Sequence, residues 1–120
     1  MKRVLVVEDN EQNMYLISFI LEKHDFEVIQ AINGEEGIEK AKIEVPDVII
    51  MDWQLPDIDG IEVTKQLRAI DALKNIPIIF CTSNVLAGDQ KKAYAAGATG
   101  YIEKPLDPDT FMEEVKKFLK

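Results

Sequence analysis

Short apolar runs alternate with helix-periodic segments five times along the 120 residues. This alternation restricts the fold more than any single motif does. Strands are predicted at about 3–7, 26–31, 47–51, 77–81 and 99–102, and helices at about 10–24, 34–44, 60–71, 85–96 and 108–119. The runs Val4-Leu5-Val6-Val7, Val48-Ile49-Ile50-Met51 and Ile78-Ile79-Phe80-Cys81 are apolar throughout, as in a sheet covered on both faces. The first helix places Asn13, Leu16, Ile17, Ile20 and Leu21 on one face, and the last repeats the pattern with Phe111, Met112, Val115, Phe118 and Leu119. Asp107 is expected to cap that last helix, with Pro108 at its first helical position. Gly97 reads as a helix stop, and Asn33-Gly34 as a turn into the second helix. The connections are too short to hold another domain. The expectation is an α/β, doubly wound (βα)5 domain over residues 1–120, with right-handed crossovers and no effector domain. Its five-stranded parallel sheet takes the order 2-1-3-4-5, and ligands bind at the carboxyl ends near the switch point between strands one and three.

The polar residues that follow these runs fall at that edge. They are Glu8-Asp9 after the first run, Asp52 after the third, Thr82 after the fourth and Lys104-Pro105 after Tyr101-Ile102. Neighbouring strands lie about 4.8 Å apart, so the acids of strands one and three can share one cation. Three carboxylates that close repel one another, and a divalent ion relieves the repulsion. Magnesium takes oxygen ligands, whereas zinc favours the His and Cys ligands that are missing from this set. Asp52 sits centrally and can act as a nucleophile, forming an aspartyl phosphate. Thr82 can donate a hydrogen bond to a phosphoryl oxygen, and Lys104 supplies a positive charge. Taken singly, each residue has a plainer reading: a solvated pair, a helix cap or a surface lysine. All five on one edge point to magnesium-assisted phosphoryl transfer.

Charge narrows the partners. Fourteen basic and 22 acidic residues give a formal charge of −8, which opposes direct nucleic-acid binding. The single cysteine, Cys81, lies within an apolar run and suits a reducing compartment. No apolar stretch approaches the roughly 20 residues of a membrane span, and no signal-peptide pattern follows Met1. A cytoplasmic protein without membrane contact is expected, and a monomer.

Several stretches together resemble the response-regulator receiver domain of two-component signalling over essentially the full length. They are Val-Glu-Asp-Asn at 7–10, Met-Asp-Trp-Gln-Leu-Pro-Asp-Ile-Asp-Gly at 51–60, Cys-Thr-Ser at 81–83, Ala-Ala-Gly-Ala at 95–98 and Gly-Tyr-Ile-Glu-Lys-Pro-Leu at 100–106. The run Glu8-Asp9-Asn10-Glu11-Gln12-Asn13 is similar to stand-alone regulators of the DivK type and to receivers of hybrid kinases. The resemblance implies a flavodoxin-like receiver with Asp52 as phosphoacceptor and magnesium on Glu8, Asp9, Asp52 and the carbonyl of Gln54. It implies that Thr82 and Lys104 contact the phosphoryl group and that the Lys104-Pro105 bond is cis. Tyr101 matches an aromatic that reorients with phosphorylation, giving a switch of Thr82 and Tyr101 read through helix 4, strand 5 and helix 5. Gln54 and Asn84 occupy positions that tune hydrolysis, and Ser83 stands where alanine is commoner. The implied partners are a histidine kinase or histidine phosphotransfer protein upstream and a protein target downstream. The expected role is a signalling switch with self-catalysed phosphotransfer and autodephosphorylation rather than an enzyme.

Tyr15 and Phe19 lie away from the apolar stripe of the first helix and are expected to contact the upstream partner. Trp53 is expected to be partly exposed beside the site. His24 lacks the helical bundle a phosphohistidine would need. Three other readings compete. A haloacid-dehalogenase-type phosphatase needs an acid where Gln54 stands. A flavin-binding protein needs a Ser/Thr/Gly-rich phosphate loop where Glu8-Asp9-Asn10-Glu11 would repel phosphate. A receiver from a larger regulator or hybrid kinase shares every motif above.

Overall fold

A computed structural model describes residues 2–83 and 87–119. Strands β1 (Lys2–Val7), β2 (Phe26–Ala31), β3 (Val48–Asp52), β4 (Ile78–Thr82) and β5 (Gly100–Glu103) form one parallel sheet ordered β2-β1-β3-β4-β5. Between and after them run α1 (Glu11–Lys23), α2 (Gly34–Glu44), α3 (Gly60–Arg68), α4 (Ala87–Ala96) and α5 (Phe111–Lys117). The apolar strands explain the three layers. Side chains alternate along a strand, so Val4 and Val6 of β1 enter the layer under α1 and α5, with Ile17, Leu21, Phe111 and Val115. Leu5 and Val7 enter the opposite layer, with Ile38, Val63, Leu67 and Ala93 of α2, α3 and α4. Burying each such aliphatic side chain contributes about 1.5–3 kcal/mol. Among the described residues no helix is long and apolar enough to cross a membrane.

Local chemistry sets most boundaries. Asn10 and Asn33 cap α1 and α2 by accepting from the N–H groups of Asn13 and Glu36. Asp59 caps α3 through Ile61. Gly97 ends α4 at φ +116°, a conformation that favours glycine.

Several boundaries depart from the sequence reading. Asp52 and Thr82 are the last residues of their strands rather than the first beyond them. The third helix closes at Arg68: the Ala69 N–H is shared between the carbonyls of Lys65 and Gln66, the Ile70 N–H turns to that of Leu67 three residues back, and a short 3-10 turn, Asp71–Leu73, follows. Ile70 and Leu73 kept the apolar period going beyond that break. The fifth helix begins at Phe111, not Pro108. Asp107 instead folds residues 108–110 into a turn, its side chain accepting from Asp109 and its carbonyl from Thr110 and Phe111. The buried stripe of α1 also takes in Met14 and Ser18.

Arg68 ties the far side of the domain together. Its Nε donates to the Gly97 carbonyl at 2.9 Å, and its Nη1 to those of Leu73, Lys74 and Ile76 at 3.0, 3.1 and 2.7 Å. A lysine lacks the planar fork that reaches several carbonyls at once. Arg68→Ala should cost about 1–3 kcal/mol, read as a lower urea midpoint at unchanged m, and Arg68→Lys should recover only part. An unchanged midpoint in Arg68→Ala would show that water replaces these bonds without loss.

Candidate functional site

Strand register assembles the site. Val7 of β1 pairs with Met51 of β3, and Asp52 pairs with Cys81 of β4, so Glu8, Asp52 and Thr82 emerge together at the carboxyl edge. Glu8 is only 2% exposed, and its N–H donates to the Ala31 carbonyl at 2.9 Å. Its carboxylate accepts from the Asn10 N–H at 3.2 Å and from Lys104 Nζ at 3.0 Å. The same ammonium stands 3.4 Å from Asp52 Oδ1, which also accepts from the Gln54 N–H at 3.3 Å. Asp9 is exposed, yet one carboxylate oxygen from each of Glu8, Asp9 and Asp52 lies within 4.8 Å of the others. Thr82 is buried at the end of β4, and its carbonyl accepts from the Lys104 N–H at 2.9 Å. The Lys104-Pro105 peptide is cis. Asn84 lies outside the described residues.

The electrostatics follow from this packing. Burial pushes the Asp52 carboxyl up from its ordinary 3.8 to about 7, and the charge and hydrogen bond of Glu8 push the same way. Lys104 and the Gln54 N–H pull in the opposite sense without prevailing. Burial would lower Lys104, but the Glu8 hydrogen bond and the Asp52 charge more than offset it and hold Lys104 above its usual range. Cys81 is pushed up to about 12 by burial and is a core thiol. The acid cluster contains no histidine or cysteine. Its hard oxygen donors, short of positive charge, fit a small divalent cation such as magnesium.

The remaining predicted residues surround this centre. Trp53 is half-buried with its ring edge on Phe80 at 5.4 Å between centroids. Tyr101, half-buried on β5, meets Tyr94 of α4 edge-on at 6.4 Å. On α1, Tyr15 and Phe19 are 72% and 47% exposed, and their rings stack at 6.2 Å. They are not brought to the acids themselves, but a cavity of about 250 Å³ joins Tyr15 to Glu8 and Asp9. The sequence reading missed Asp57, whose carboxylate reaches across to the start of α2. Nothing in the Pro-Asp-Ile-Asp-Gly run says that its first aspartate serves a helix so far back in the chain.

A doubly wound sheet with an acid cluster and a lysine at its switch point defines a class of proteins. Residues 4–116 match the response regulator receiver domain, and the chain belongs to that family. The polar-differentiation response regulator DivK of Brucella anthropi is 41% identical over 118 residues, 98% of this chain and 96% of that protein. The chemotaxis response regulator CheY4 of Vibrio cholerae superposes with a TM-score of 0.95 at 32% identity, covering 99% of both chains. The receiver domain of the sensor histidine kinase PA1611 of Pseudomonas aeruginosa was crystallised with magnesium in its active-site cleft. It superposes at 0.90 with 30% identity, over 98% of this chain and 97% of that one.

The raised Asp52 value has a consequence for folding. The folded protein holds this proton more tightly than the unfolded chain does. The stabilisation is full below about pH 3.8 and is lost as pH rises through about 7. Asp52→Asn does not ionise. In chelator its advantage over wild type should grow from pH 4 to pH 8 by on the order of 1–3 kcal/mol, in urea unfolding. An advantage that does not change with pH would mean that Asp52 ionises at its ordinary value.

Proposed function

We propose that this receiver accepts a phosphoryl group on Asp52 from a histidine kinase or histidine phosphotransfer protein. Glu8, Asp9, Asp52 and the Gln54 carbonyl would hold magnesium. The observation that carries the reading is Lys104 set 3.0 Å from Glu8 and 3.4 Å from Asp52, beside three converging carboxylates. In the transfer an Asp52 carboxylate oxygen bonds to phosphorus as the donor's N–P bond breaks. The imidazole departs with the bonding pair and ends as neutral imidazole, its proton balance completed by solvent. Lys104 and the Thr82 hydroxyl each donate to a phosphoryl oxygen, and their fixed placement favours the charge that develops there. The divalent cation, when bound, neutralises charge on the acids and on the incoming group.

Drawing Thr82 toward the phosphoryl group shifts an existing equilibrium in which Tyr101 moves inward, and the α4–β5–α5 face reports the change to a protein target. Gln54 and Asn84 set the lifetime of the acyl phosphate. Hydrolysis regenerates the switch, so its chemistry serves signalling in the cytoplasm. Tyr15 and Phe19 present an aromatic surface to the donor, next to the cavity that opens on Glu8 and Asp9.

Acetyl phosphate with magnesium should add one phosphoryl mass to wild type and none to Asp52→Asn. Equal labelling of both would remove Asp52 as the acceptor. Tyr15→Ala and Phe19→Ala should label normally with acetyl phosphate but take phosphoryl from a histidine-phosphorylated protein about tenfold more slowly, a typical loss at an interface anchor. A matched loss with both donors would make them fold residues instead.

A further inference from the structure

The loop after Asp52 is fastened at both ends. At its base the Gly60 N–H donates to the Trp53 carbonyl at 2.9 Å, and the Gln54 N–H reaches Asp52 Oδ1. At its tip Asp57 forks onto another helix: Oδ1 accepts from the Gly34 N–H at 2.7 Å, and Oδ2 from the Glu35 N–H at 2.9 Å. Asn33 already serves the Glu36 N–H, so Asp57 takes up two further donors of the first turn of α2. The approach is close. A Cβ on Gly34 would lie 2.9 Å from Val63 Cγ2, 3.1 Å from Ile58 Cβ and 3.3 Å from Asp57 Oδ1. Slight burial would raise the Asp57 carboxyl, but the Glu35 and Gly34 N–H groups more than offset this and hold it low. The positive end of α2 favours that charge as well.

Only Gln54, Leu55 and Pro56 lie between the anchored Trp53 and Asp57. The Gln54 peptide is therefore held between two anchored points. We infer that Asp57 is a positioning residue for the metal-binding loop, and that its grip on Gly34 and Glu35 links occupancy of the site to the start of α2. The inference rests on the phosphoacceptor reading above, in which Gln54 supplies a ligand. A helix cap alone would change stability and leave metal affinity untouched. An outer partner that orients a ligand changes the affinity itself.

The test pairs two readouts. Calorimetric magnesium titration of the full chain should show binding weakened about three- to tenfold in Asp57→Ala, less than the loss usual for a group bonded directly to a ligand. Asp57→Asn keeps one acceptor oxygen and should recover part of the affinity; it also serves where the alanine variant does not fold. In wild type, amide exchange at Gly34 and Glu35 should slow when magnesium and beryllofluoride are added. Equal magnesium affinity in wild type and both variants would overturn the inference, as would exchange at Gly34 and Glu35 indifferent to ligand. A wild type that binds no magnesium would instead overturn the phosphoacceptor reading on which it stands.

Discussion

Three carboxylates converge at the switch point of the sheet, and the half-buried ammonium of Lys104 stands against two of them. This imbalance organises the rest of the site. Removing Lys104 would leave Glu8 and Asp52 close and unneutralised in a poorly solvated place, where unpaired charge is costly. With Lys104 alone the balance is incomplete, and Asp52 holds its proton up to about neutral pH. A divalent cation at the three acids would complete it. The fold is stable enough to hold this frustration because β1, β3 and β4 are buried on both faces by two separate apolar layers.

The same layout connects the site to the helices. Lys104 follows β5, so the residue that faces Asp52 is two steps along the chain from the end of Tyr101-Ile102, and Tyr101 lies against Tyr94 of α4. The far end of α4 is fixed by Gly97 and by the Arg68 bond to its carbonyl. The β3–α3 loop, in turn, is gripped by α2 through Asp57 and by α3 through the Asp59 cap. Each helix of one face thus has a named bond to the segments that flank Asp52 or to the end of its neighbour.

Much of this was legible in the sequence because it is written in short-range chemistry. Continuous apolar runs marked β1, β3 and β4, and the polar residue closing each run became a site residue once the strands were parallel. Gly97 read correctly because a left-handed helix end is a local matter, and the turn read at Asn33-Gly34 is where Asn33 caps α2. The start of α5 misread for the opposite reason: Asp107 and Pro108 satisfy a turn and a helix equally well over three residues. The break after Arg68 was hidden by Ile70 and Leu73, whose apolar spacing continues through it. Asp57 was illegible, since its partners Gly34 and Glu35 are 23 and 22 residues back and only the folded sheet brings them near. The pairing of Lys104 with Glu8, 96 residues apart, belongs to the same class.

Charge governs this site, and the carboxyl group of Asp52 reports on it directly. Its carbon resonance can be followed by NMR through a pH titration, first in chelator and then in saturating magnesium. The midpoint should lie near 7 in chelator, far above the ordinary 3.8, and should move far downward once the cation is present. A midpoint near the ordinary value that magnesium leaves unmoved would contradict this.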